Sequence, residues 1–190
     1  TDPAGNSNTA ATDFTWTYDT TAPTATIAST EVNTGDSLNE AVTFTVTFSE
    51  EMTGIADGDF TVTDARCALS GYEVTTANTV FTQICTPDTN GELITLSVGA
   101  VGTDPAGNSN TAATDFTWTY DTTAPTVAIT SGDVSTGGSH NGATTMIFTF
   151  SEEMTGIANG DFTFTNCAAG DFSVETANTV FHQVCTPDTP

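Results

Sequence analysis

Residues 1–24 of this chain, TDPAGNSNTAATDFTWTYDTTAPT, recur unchanged at 103–126, a displacement of 102 positions. The same register carries FSEEMTGIADGDFTVT at 48–63 onto FSEEMTGIANGDFTFT at 150–165. A two-residue deletion follows, and TANTVFTQICTPDT at 76–89 then matches TANTVFHQVCTPDT at 176–189 at a spacing of 100. Near-identity at a domain-sized period implies tandem duplication, so the 190 residues divide into modules of about 100 residues rather than forming one large domain.

Within each copy the apolar residues recur every second position, the period of a strand with one buried face. Val42, Phe44, Val46 and Phe48 alternate with threonines, as do Phe14, Trp16 and Tyr18. Further strands are expected at 24–28, 60–63, 69–74, 79–85 and 92–98, with Gly, Asn, Asp and Pro in the gaps. Seven such short strands, apolar on one face and rich in threonine on the other, define an all-β fold built of β-sandwich modules. Most of the twelve phenylalanines and both tryptophans are expected on the core face.

If each sandwich begins at the TTAP linker, residues 1–20 are the last strand of a preceding module and 21–122 are a complete one. Residues 123–190 then form a module that stops after its fifth strand, lacks its last two strands and has an open edge. The first residues match an internal segment, so the chain reads as a piece of a longer polypeptide. No signal-peptide pattern opens it, and no stretch approaches the roughly 18 apolar residues of a membrane span. Pro23 and Pro125 restrict the linkers and favour a rod over a loose string.

Charge removes whole classes of partner. Twenty-four carboxylates face one basic residue, Arg66, and the net charge is -23. Nothing is present to neutralise phosphates, which excludes nucleic acid and disfavours an anionic membrane. The acids suit solubility in salty surroundings or, alternatively, divalent cations. Catalysis has little to rest on: His140 lies in a Gly-rich loop, and His182 is Thr82 in the other copy. Without lysine, a lysine–asparagine isopeptide is impossible; a Thr–Gln ester through Gln83 or Gln183 is only formally open.

Cys67 with Cys85, and Cys167 with Cys185, keep an 18-residue separation in both copies despite the deletion. Their strand placement puts each pair at the open ends of two antiparallel strands joined by a turn near Ala77 and Asn78. A disulfide is the natural outcome there and stabilises by roughly 3 kcal/mol in the chain-entropy model. Two buried thiols are the alternative, and zinc-ligand spacing is not matched. Disulfides place the protein outside a reducing cytosol.

The order DPAGN, alternating strand, DTTAPT, Phe-rich strand, FSEEMTG and GDFTVT resembles the bacterial Ig-like repeats of very large surface adhesins and biofilm-associated proteins. The likeness covers the whole chain, although the cysteine pair is not part of the pattern. It implies tandem immunoglobulin-like sandwiches acting as extracellular or cell-surface extenders, often stiffened by calcium near the junctions. Neighbouring modules are then the principal partners. A glycan- or protein-binding module is the second reading, and a filament subunit assembling with other copies by strand donation is the third.

Immunoglobulin-like topology brings the loops at 49–54 and 103–108 to the pole where the chain enters the module. Asp19, Glu50, Glu51 and Asp104 are expected to converge there, and Asp121, Glu152 and Glu153 at the next junction. Such carboxylates repel one another, and Ca²⁺, which takes six to eight oxygen ligands, relieves the repulsion. The turn at Asp57–Asp59 offers further oxygens, but Asp57 becomes Asn159 in the second copy.

Overall fold

The computed structural model describes residues 1–63 and 66–188, and the chain divides into two compact units, Thr1–Thr122 and Thr123–Pro190. Among the described residues no α-helix occurs. Unit 1 holds β1 (Ala25–Ser29), β2 (Ser37–Leu38), β3 (Val42–Phe48), β4 (Phe60–Val62), β5 (Cys67–Thr76), β6 (Val80–Pro87), β7 (Glu92–Val98) and β8 (Phe116–Tyr120). They form two four-stranded sheets, one ordered β1-β3-β6-β5 and the other β2-β8-β7-β4. All neighbours are antiparallel except β2 and β8, which run parallel with Ser37 opposite Thr119 and Leu38 opposite Tyr120.

The alternation that builds each strand also builds the core between the sheets. Val42, Phe44, Val46 and Phe48 of β3 point inward with Phe81 and Cys85 of β6. Ile94, Leu96 and Val98 of β7, Phe116 and Trp118 of β8 and Phe60 of β4 complete the same cluster. Burying each large apolar side chain stabilises by about 1.5–3 kcal/mol. The turn from β5 to β6 places Ala77 and Asn78 at φ 21° and 54°, a left-handed conformation that Asn tolerates. Ala177 and Asn178 repeat it at 27° and 55°.

Unit 2 holds one sheet, ordered β11-β12-β10-β9, made of β9 (Val127–Ser131), β10 (Thr144–Phe150), β11 (Cys167–Thr176) and β12 (Val180–Pro187). Its registers repeat those of β1, β3, β5 and β6, with Phe150 opposite Val127 and Thr144 opposite Cys185. Phe148 and Phe181 are buried, and Phe162 stacks on Phe148 at 3.7 Å between ring centroids.

Two expected strands are corrected, and one observed strand was not expected. Residues 14–18 form no strand, and Trp16 is 72% exposed where a core position was expected. The identical sequence at 116–120 is a strand because β7 and β2 pair with it, partners that residues 14–18 do not have. In unit 2 the segment 162–165, the counterpart of the strand expected at 60–63, forms none, since the strand that pairs with its counterpart β4 is β7, which has no copy within 123–190. The two-residue strand β2 is too short to show any period.

Candidate functional site

The pole where the chain enters unit 1 is built from three segments. Loop 49–54 and loop 99–111 meet through Thr53 and Thr103, whose main chains exchange hydrogen bonds of 2.6 and 3.1 Å. Gly102 permits that approach, because a Cβ there would lie 2.7 Å from the Thr53 carbonyl oxygen. The buried Asn110 shapes the second loop from within: its Oδ1 accepts from the amides of Val101 and Gly102, and its Nδ2 donates to the carbonyls of Gly99 and Thr111. Every polar atom of that side chain is thereby satisfied, as burial demands.

The DPAGN sequence closes on itself. Asp104 Oδ1 accepts from the Asn108 amide at 2.8 Å, and Oδ2 accepts from Asn108 Nδ2 at 2.8 Å. Gly107 supplies the left-handed residue, at φ 96°. Burial pushes the Asp104 carboxyl up, but its bonds to Asn108 and neighbouring amides outweigh that and hold it below its ordinary value.

The entering segment is strapped onto this loop. Pro23 O accepts from the Thr111 amide at 2.8 Å and from Thr111 Oγ1 at 3.3 Å, while Asn108 Nδ2 donates to the Asp19 carbonyl at 3.3 Å. Thr24 donates its amide to Ser49 Oγ and accepts from the Ser49 amide. At 126 and 151 unit 2 repeats the last pair.

Together these segments bring Asp19, Glu50 and Asp104 to one place, with a carboxylate oxygen of each within 4.8 Å of the others. Burial and the negative charges of Asp19 and Asp104 raise the pKa of Glu50. Glu51 lies at the edge of the same depression, but its Oε1 accepts from Asn78 Nδ2 at 3.4 Å and it stands outside the cluster. Asp121, near the end of unit 1, donates its amide to the Leu38 carbonyl. In unit 2, Glu153 accepts from Asn178 as Glu51 does from Asn78, and Glu152 is half-buried. The carboxylate of Asp57 accepts from Gln83 Nε2 at 2.8 Å, a structural role; in unit 2 Gln183 donates to the Gly170 carbonyl instead. His182 lies 2.9 Å from Glu175 at the surface.

The cysteines pair as Cys67–Cys85 and Cys167–Cys185, with Cα atoms 5.5 and 5.7 Å apart. Both bonds cross β5–β6 or β11–β12 diagonally, since Cys85 lies opposite Leu69 and Cys185 opposite Ala169.

The family model described as bacterial Ig-like domain matches residues 19–120 and again residues 121–190. The chain belongs to the bacterial Ig-like domain family. Both units are therefore all-β Ig-like modules in tandem, and the first family match begins at Asp19, the first residue of the carboxylate cluster. No curated protein matches this Ig-like chain. Asn108, Asn110 and Thr111, which hold the Ig-like pole together, were not singled out from the sequence. The Asp-x-x-x-Asn spacing with Gly between is a signal for Asn108; Asn110 carries none.

Proposed function

We propose that the chain is a spacer of an extracellular repeat protein, a stalk or filament at the cell surface, in which each Ig-like module fixes the direction of the segment entering it. The observation that carries this reading is the strap at the pole: Thr111 on Pro23, Asn108 on Asp19 and Ser49 on Thr24 tie the linker at three residues to two loops of its module. A linker held by main-chain hydrogen bonds, with proline limiting its dihedrals, transmits orientation instead of acting as a swivel. The paired cysteines support a location outside reducing compartments. Nitrogen-15 relaxation on the whole chain tests the reading. Residues 19–24 should be as rigid as β1; fast motion running up to Ala25 would refute it.

Calcium at the entry pole is part of the same proposal. Asp19, Glu50 and Asp104 offer only hard oxygen donors at mutual distances a single cation spans, and Asp19 lies on the linker itself. A bound Ca²⁺ would clamp linker and loops and raise the melting temperature by mass action. Calorimetry with calcium and with chelator checks this. An unchanged melting temperature together with no heat of binding would remove calcium from the proposal while leaving the spacer reading intact.

The alternative of a sugar-binding module calls for an exposed aromatic platform. Phe14, Trp16 and Tyr18 are exposed, but their copies Phe116 and Trp118 are core residues. Their exposure follows from missing strand partners and does not mark a built binding surface.

A further inference from the structure

Asn159 and Gly160 sit at the tip of a turn that both units build alike. Ala158 donates its amide to Asp161 Oδ2 at 2.7 Å and accepts from the Asp161 amide at 3.2 Å, and Gly160 takes φ 108°. In unit 1, Ala56 and Asp59 exchange the same bonds at 2.7 and 3.2 Å around Gly58 at φ 105°. A left-handed residue in the third position suits glycine alone without strain. Within this turn the sequences differ only at the second position, Asp57 in unit 1 and Asn159 in unit 2. The shape is therefore set by the local sequence.

The turn leaves Asn159 and Gly160 exposed, and a Cβ on Gly160 would meet no atom within 4 Å. The Gly160 amide donates to no group among the described residues. Its nitrogen and the neighbouring side-chain amide are both open to water. The other Asn-Gly pairs differ. Gly91 donates its amide to the Tyr120 carbonyl at 2.7 Å, and Asn90 Oδ1 accepts from the Thr122 amide at 2.5 Å. Gly142 is half-buried, and its counterpart is Glu40, so no second copy of that turn exists for comparison.

We propose that Asn159 is a site of spontaneous deamidation through a cyclic imide. The Gly160 main-chain nitrogen gives its proton to hydroxide and attacks Cγ of Asn159. A C–N bond forms, the bond from Cγ to Nδ2 breaks, and Nδ2 leaves as ammonia with a proton from water. Water then opens the five-membered ring. Addition at Cγ restores the ordinary peptide link and leaves an aspartate; addition at the main-chain carbonyl carbon leaves an isoaspartyl link with one more methylene in the backbone. Either product carries a new carboxylate. The first makes the turn identical in sequence to that of unit 1, where Asp57 accepts from Gln83 Nε2 at 2.8 Å and the turn's own bonds are intact.

Incubating the full chain in warm, mildly alkaline buffer and reading each asparagine by fragment-ion mass spectrometry is the test. Asn159 should convert while the Asn90 amide stays intact, and after reduction and denaturation the two should convert at comparable rates. Isoaspartate should accumulate at 159 beside aspartate, which direct hydrolysis of the side chain would not produce. In Asn159→Gln, whose ring would need one more atom, conversion at 159 should be absent. Equal rates at 90 and 159 in the folded chain, a preference for 159 that survives denaturation, or aspartate without isoaspartate would each overturn the proposal. The reaction involves neither the linker nor the carboxylates of the entry pole, so the spacer reading is decided by its own measurement.

Discussion

Glu50 is the residue on which the chemistry of the entry pole turns. Burial and two neighbouring carboxylates raise its pKa, so ionising it disfavours the folded state. Its contribution favours folding at low pH, and the advantage is lost as pH rises through the carboxylate range. Asp104 runs the other way: its pKa is lowered, so its stabilisation is present above the ordinary carboxylate value and is lost as pH falls through the lower folded one. Glu50→Gln removes the repulsion without removing bulk. Melted in chelator at neutral pH, this variant should be more stable than the parent chain, and it should lose most of the parent's calcium-induced rise in melting temperature. A variant that is less stable in chelator, or that keeps the full calcium response, would show that the three carboxylates do not act as a unit.

Two elements of identical sequence show what was legible without a structure. DPAGN makes the same turn at 2–6 as at 104–108: Asp2 Oδ1 accepts from the Asn6 amide at 2.9 Å and Gly5 sits at φ 92°. Its bonds are all local, so a reader of sequence can place it anywhere. FTWTY behaves differently, a strand at 116–120 and unpaired at 14–18, because strand pairing is non-local and period alone names a face without naming a neighbour. The β3, β6 and β7 strands were readable from alternation; β2, and the Asn110 hub that shapes the pole, were not. The contrast has a direct thermodynamic form. Trp118→Ala should cost about 3–5 kcal/mol in denaturant unfolding of unit 1. Trp16→Ala should stay within about 0.5 kcal/mol of the parent. The hairpins β5–β6 and β11–β12 are each closed by one disulfide. Replacing Cys67 and Cys85 together by alanine should lower the stability of unit 1 by roughly 3 kcal/mol. A loss confined to a few tenths would mean that strand pairing alone sets the hairpin.

At the scale of the molecule, a chain with 24 carboxylates and almost no cations repels itself in the folded state more than in the expanded one. Sodium chloride should therefore raise the melting temperature steeply from low ionic strength and level off as the Debye length falls below the spacing of surface charges. A melting temperature indifferent to salt would mean that the acids are spread widely enough not to interact.

The strap at Pro23 also decides how unit 1 meets tension. A pull arriving from residue 18 meets the bonds at Asp19, Pro23 and Thr24 before it reaches β1, which is laddered to β3 from Ala25 opposite Phe48 to Ser29 opposite Phe44. Those bonds lie across the line of force, so they are loaded in shear and must yield together, where a strand peeled from one end gives way bond by bond. At the far end the pull leaves through β8, which is held on one side by β7 and on the other by β2. Under the spacer reading proposed above, a module gripped at both ends by strands loaded in this way would stay closed under drag.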